Sequence, residues 1–240
     1  MRIELIPVLA DNYIHVLRDE SQNITIVVDP AISTPVEKFL ASNNWPLTHI
    51  FITHHHGDHI GGVDALRKKF PDCHVYGYEH DQQRLPALTN KLKEGSKIKV
   101  GTLEFTIWHL PGHTTGHIAY ISQDPAIAFT GDVLFGMGCG RVFEGTYEDM
   151  FKSLCRFKLL DPNTKIFCTH EYTVNNGRFA LSNFPESEAI EAHLANVIAL
   201  RERGEFTVPL LLQSELNTNP FLLAHNFQEF SRLRDARNKW

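Results

Sequence analysis

The stretch Thr53 to Gly62, THHHGDHIGG, limits what this chain can become more than any other. His54, His56, Asp58 and His59 set four candidate metal ligands within six residues, directly behind the apolar run Ile50-Phe51-Ile52. Imidazoles and a carboxylate at this density are poor core material and costly to bury unpaired. A strand that ends and turns here sends alternate side chains to one side, so His54 and His56 project together while His55 points away. Asp58 and His59, from the following turn, can face the same centre from another direction. Imidazole with carboxylate suits zinc, iron or manganese. A solvated histidine-rich loop is the plainer alternative, but the H-x-H-x-D-H spacing behind a strand favours the metal.

The rest of the chain narrows the class. At 240 residues it has room for one large domain or two modest ones. A net charge of -5 argues against general nucleic-acid binding, which needs a basic surface. No apolar stretch approaches the roughly 20 residues of a membrane span, and the opening MRIELIPVLADNY lacks a signal-peptide core. Cys73, Cys139, Cys155 and Cys168 are scattered without a CxxC pair, which reads as reduced thiols in a cytoplasmic protein.

Short β-type runs open the chain at 2–8, 13–17 and 24–28, separated by turn-forming clusters. Residues 34–42 read as a helix with Pro35 in its first turn, and 49–53 as the strand that feeds the histidine loop. Val63, Leu66 and Phe70 mark one helical face, stopped by Pro71. Further strands are expected at 75–76, 97–100, 103–110, 117–122 and 126–129. Four strand ends then carry His or Asp: the loop at 54–59, His113 in L-P-G-H-T, Asp132 in F-T-G-D, and His170 in I-F-C-T-H. One such histidine alone is more often structural, whereas four tips of compatible chemistry point to one centre. After Tyr172 helical periodicity takes over, with Ser187 and Asn226 as helix caps. The expected organisation is an α/β domain over 1–172 and a smaller all-α domain over 173–240.

The set T-H-H-H-G-D-H, L-P-G-H-T, F-T-G-D-V-L-F and C-T-H-E-Y resembles the metallo-β-lactamase superfamily. Within it the chain is similar to glyoxalase II, the hydroxyacylglutathione hydrolases, through G-C-G-R-V-F-E-G-T at 138–146, H-E-Y-T at 170–173 and N-P-F at 219–221. The resemblance covers essentially the whole chain. It implies an αββα sandwich with its metals at one edge, followed by the helical domain. It also implies two divalent metal ions, zinc foremost with iron or manganese tolerated. His54, His56 and His113 would bind one, and Asp58, His59 and His170 the other, with Asp132 bridging.

The reaction implied is hydrolysis of the thioester S-D-lactoylglutathione to D-lactate and glutathione, the second step of methylglyoxal detoxification. A hydroxide bridging the metals would attack the carbonyl, with Asp58 orienting it. A thiolate leaves readily, since a free thiol has a pKa of about 8.5, so no general acid is required. By resemblance Arg141, Tyr172, Arg234 and Arg237 contact glutathione, with Phe143 standing where the family often has Tyr. Phe227, Phe230, Arg234 and Arg237 share one face of the last helix, so the two Phe are expected to anchor it and both guanidiniums to face the site. The implied partner is a small glutathione thioester, with no nucleic acid and no membrane, and the protein is expected to be a cytoplasmic monomer. A lactonase, a β-lactamase or a persulfide dioxygenase of the same fold is the nearest rival reading. A phosphodiesterase and a non-catalytic metal-binding protein stand further off.

Overall fold

The computed structural model describes residues 1–240 and contains two compact units. The first unit, Met1–His109 with Gly116–Pro125, opens with an antiparallel meander of β1 (Arg2–Val8), β2 (Asn12–Asp19) and β3 (Ile24–Val28). Helix α1 (Ser33–Asn43) follows and ends on Asn44, whose left-handed φ of 54° stops it. Then β4 (His49–Phe51) adds parallel to β3. Two short helices, α2 (Gly57–Ile60) and α3 (Val63–Lys69), lead to β5 (His74–Tyr78), parallel to β4, and to β6 (Asn90–Leu92), parallel to β5. The result is a six-stranded mixed sheet in sequential order. The unit also contains β7 (Lys97–Val100), β8 (Leu103–His109) and β9 (Ile118–Gln123), which pair as antiparallel neighbours.

The apolar runs of β3, β4 and β5 explain their central place, because parallel strands are buried on both faces. On one face Val36 and Leu40 of α1 and Val63 and Leu66 of α3 pack with Val27, Ile50 and Val75. On the other, Phe51 stacks on Tyr120 of β9 at 4.4 Å and meets Phe105 of β8 edge-on at 5.5 Å. The buried Tyr120 hydroxyl accepts from the Ile52 amide at 3.2 Å and points its proton at the carbonyls of Ile52 (3.0 Å) and Tyr76 (3.2 Å). That one hydroxyl fixes where β4 ends and the histidine loop begins.

The second unit, Leu110–Thr115 with Ala126–Trp240, is built on β10 (Ala126–Gly131) and β13 (Lys165–Cys168), a parallel pair. A two-stranded hairpin, β11 (Leu134–Phe135) with β12 (Gly138–Cys139), follows β10. Helix α4 (Tyr147–Phe157) starts at a capping box between Thr146 and Asp149. The tail carries α5 (Thr173–Asn183), α6 (Glu188–Glu202), β14 (Leu210–Leu211), α7 (Leu212–Thr218), α8 (Pro220–Leu223) and α9 (Phe227–Lys239). Ser187 and Asn226 cap α6 and α9 through their side chains, as expected. The tail is not wholly helical, because β14 pairs antiparallel with β13. Two residues are too few to show a β period in sequence. Nor does the tail form a compact unit by itself, since it groups with β10 to β13.

Replacing Tyr120 with Phe keeps the ring stack and removes a buried hydroxyl with three backbone partners. Stability is expected to fall by about 1–3 kcal/mol, measured by urea unfolding of the two proteins. An unchanged midpoint would show that the hydroxyl does not hold the end of β4.

Candidate metal centre

In the first unit the ligand-rich loop leaves β4 beside the carboxyl end of β3. Asp29 sits there, fully buried, with a left-handed φ of 49°. Its carboxylate accepts from the Thr53 amide (2.8 Å), the Thr53 hydroxyl (2.7 Å) and Nδ1 of His59 (3.0 Å). A carboxylate only accepts, so His59 carries its proton on Nδ1 and turns the lone pair of Nε2 away. The Thr53 hydroxyl has given its one proton to Asp29, so Nδ1 of His54, 3.0 Å from that oxygen, must be the donor. Nε2 of His54 is therefore also a bare lone pair, and it lies 3.0 Å from Nδ1 of His56. Asp58, on the first turn of α2, keeps Oδ2 within 3.8 Å of His59 Nε2 and takes a hydrogen bond from Asn12 at 3.2 Å.

His55 leaves this group, as alternation requires. Its Nδ1 lies 3.2 Å from the buried carboxylate of Asp81, which also accepts from Arg84 Nε at 2.5 Å. Sequence reading named neither Asp29 nor Asn12 as part of the site. The signal for Asp29 is its place in D-P at a strand end, which by itself reads as a turn.

The second unit carries candidate ligands of its own. His113 follows Gly112, whose φ of 147° lets the turn pass against helix α4. The Arg141 carbonyl accepts from Nδ1 of His113 at 2.8 Å, which again leaves Nε2 as the lone pair. A bulge in the β10–β13 pairing between Phe129 and Gly131 turns the chain, and Asp132 follows directly. Asp132 Oδ2 lies 3.4 Å from Nε2 of His113 and 3.4 Å from Nε2 of His170, which stands two residues beyond β13. All three side chains are buried. The bare Nε2 of His113 and the Asp132 oxygen are both acceptors and repel at this range unless a cation stands between them. The donors of each unit thus suit a divalent metal ion: imidazoles, those of His54, His59 and His113 with fixed tautomers, and carboxylate oxygens.

The residues expected to contact glutathione lie in the same unit. Tyr172 stacks flat on His170, with centroids 4.9 Å apart and planes 5° apart. Phe143 is 61% exposed and sets its ring edge against His113 at 5.3 Å. Arg237 is half-buried and donates to Asn176 Oδ1 at 3.1 and 3.3 Å. Burial, and then the positive charges of Arg234 and Arg141, hold its pKa below the ordinary guanidinium value.

Arg234 departs from the expected picture. It is only 2% exposed, and Nη1 donates to the carbonyls of Cys139 (2.9 Å) and Gly140 (3.3 Å) while the guanidinium lies over the Phe221 ring. Four residues before it, Phe230 is buried against Phe221 and Phe151. The shared helical face that carries Phe230 inward carries Arg234 with it. Phe227 stays 36% exposed with its ring 6.3 Å from that of Phe151, so Phe230 does most of the anchoring.

A sequence profile described as the metallo-beta-lactamase superfamily matches residues 12–170, and one described as hydroxyacylglutathione hydrolase C-terminus matches residues 171–240. A hydroxyacylglutathione hydrolase of Bdellovibrio bacteriovorus is 44% identical over 245 residues, covering 99% of this chain and 97% of its own. One from Pseudomonas paraeruginosa is 45% identical over 225 residues, covering 92% and 86%. Among solved structures, ETHE1 from Myxococcus xanthus superposes with a TM-score of 0.74 at 25% identity, covering 99% of this chain and 92% of that one.

Asp29→Ala removes the acceptor that fixes the His59 tautomer and steadies Thr53. Affinity for zinc is expected to drop about 10–100-fold, measured by competition with a chromogenic chelator. His55→Ala is expected to change it less than twofold. Equal losses in the two variants would mean that the alternation at 54–56 does not select the ligands.

Proposed function

The chain belongs to the metallo-beta-lactamase superfamily and, within it, to the hydroxyacylglutathione hydrolases, and from that premise we propose that it hydrolyses S-D-lactoylglutathione to D-lactate and glutathione. We assign His54, His56 and His113 to one divalent ion, Asp58, His59 and His170 to a second, and Asp132 to both. With Asp132 shared, the three imidazoles would leave the first ion most of its charge, and the carboxylate would offset the repulsion between the two. Zinc is the first choice, with iron or manganese served by the same ligands. When bound, the ions supply Lewis acidity towards the thioester carbonyl and a water acidic enough to lose its proton near neutral pH.

The chain's own residues supply the remainder. Asp58, held by Asn12, accepts a proton-bearing hydrogen bond and orients the attacking water. Asp29, Thr53 and the Arg141 carbonyl lock the imidazoles so that no reorganisation is needed as charge develops. No acid is placed for the sulfur, and none is needed, because a thiolate of pKa about 8.5 leaves unaided at neutral pH.

The single observation that carries this substrate is the arginine group of the second unit. Arg141 and Arg234 both lie within electrostatic reach of Arg237 in a protein of net charge -5. Like charges held together are relieved by an anion, and glutathione brings two carboxylates. Arg237 and Arg141 are the cations assigned to them, with Tyr172 beside the peptide and Phe143 at the edge. Arg234 then acts chiefly by holding the backbone that carries Arg141. In this reading residues 1–172 form the hydrolase domain and 173–240 supply glutathione binding. No helix is long and apolar enough to cross a membrane. Cys73, Cys139, Cys155 and Cys168 are all unpaired, in keeping with a cytoplasmic enzyme, which we take to be a monomer.

The direct test follows thiol release from S-D-lactoylglutathione by the zinc-loaded protein, with and without oxygen. Turnover that persists anaerobically supports the hydrolase, whereas oxygen-dependent consumption of glutathione persulfide in its place would overturn it. Arg237→Ala is expected to raise KM for the glutathione thioester on the order of tenfold and to spare kcat, the signature of lost uniform binding. A small thioester without the peptide should be cleaved as before. Equal losses on both substrates would assign Arg237 a structural role instead.

A further inference from the structure

Between Asp132 and Arg141 the chain makes an excursion, the β11–β12 hairpin, whose two ends both bear on proposed metal ligands. Asp132 is one end. At the other, the Arg141 carbonyl fixes the tautomer of His113. The two ends also touch directly. A Cβ on Gly140 would stand 1.9 Å from the Asp132 carbonyl oxygen, so only glycine lets the returning strand pass. Wherever the hairpin sits, Asp132 and His113 follow.

The hairpin's backbone is held by side chains from the helical tail. Asn219 Nδ2 donates to the carbonyls of Phe135 (3.1 Å) and Gly138 (2.9 Å), and Asn176 donates to that of Gly136 (3.0 Å). Glu215 Oε2 accepts from the Met137 amide (2.7 Å) and from Asn219 Nδ2 (2.9 Å). Met137 is buried and has a left-handed φ of 52°, a conformation that a branchless turn would adopt without such support. Arg234 takes the next two carbonyls, Cys139 and Gly140.

Glu215 is a costly way to hold a turn. It is fully buried, its Oε1 has no hydrogen-bond partner, and burial lifts its carboxyl to about 7 against the pull of its two donors. An apolar side chain would pack this place with no buried charge. What the carboxylate adds is direction, since one oxygen receives both the turn amide and the Asn219 amide that reaches both strands.

We propose that Glu215 and Asn219 are positioning residues for the hydrolysis, clamping the 134–140 hairpin so that Asp132 and His113 keep their metal-binding geometry. The proposal rests on the hydrolase reading for its catalytic consequence. The clamp itself rests only on contacts within the second unit.

The test compares Glu215→Leu, Glu215→Gln and, as a core-destabilised control away from the hairpin, Val197→Ala on α6. Three readouts are taken on zinc-loaded protein: kcat with S-D-lactoylglutathione, the rate of zinc release to a chelator, and amide hydrogen exchange at Met137 and Gly138. Glu215→Leu should release zinc about tenfold faster, lose about tenfold in kcat and expose the Met137 amide. Glu215→Gln should restore all three to within about threefold, because one amide oxygen can accept both hydrogen bonds that Oε2 accepts. Val197→Ala should leave zinc release and exchange unchanged. If Glu215→Leu matches Val197→Ala in zinc release and exchange, or if Glu215→Gln fails to rescue, the clamp is overturned. Should Glu215→Leu not fold, Asn219→Ser, which keeps a capping oxygen but loses the reach to both carbonyls, carries the same comparison. A wild-type protein that does not cleave the thioester would sink the hydrolase reading alone, because zinc release and exchange still decide the clamp.

Discussion

Every proposed histidine ligand whose tautomer can be deduced has its second nitrogen already occupied. His59 gives its Nδ1 proton to Asp29, His54 to Thr53, and His113 to the Arg141 carbonyl. In the second unit this constraint turns the His113 lone pair toward Asp132, a buried arrangement that is repulsive unless a cation is present. The fold around each half is arranged to sustain that tension. Asp29 needs an uncommon backbone conformation at the end of β3, and Asp132 needs a bulge at the end of β10. Metal binding then releases repulsion that folding has accumulated, which is why affinity and correct folding are linked in such centres.

The same economy governs the second unit's tail. Its buried polar residues are spent largely on a short hairpin. Asn176, Glu215, Asn219 and Arg234 satisfy consecutive backbone groups of residues 135–140, which a two-residue pairing cannot satisfy by itself. A buried backbone group without a partner costs as much as a lost hydrogen bond. The hairpin therefore exists in this form only because the tail folds against it. Arg237, one turn past Arg234, is left partly exposed with a charge that its neighbours oppose. A structural role and a proposed anion-binding role thus alternate along a single helix.

Much of the architecture was legible in the residues. The boundaries of β1 and β3, the caps of α6 and α9, and the departure of His55 all follow from local rules that act within a few residues. Helix α4 was not read from the sequence, although the Thr146–Asp149 box marks its start. The strands β11, β12 and β14 were not, since two residues each carry no period to read.

The sequence by itself determined the ligand types, their spacing and the order in which strand ends deliver them, because alternation and turn chemistry are local. It could not assign Arg234. A helical period says that position 234 lies on the face of Phe230, but not that a buried guanidinium will find carbonyls 94 and 95 residues earlier in the chain. Asn219 reads in sequence as the cap before Pro220, and it is one. Its second task, bridging Phe135 and Gly138, exists only once α7 and the hairpin are packed. Buried polar groups must be satisfied, yet which partner satisfies them is decided by tertiary proximity, and periodicity carries no record of it.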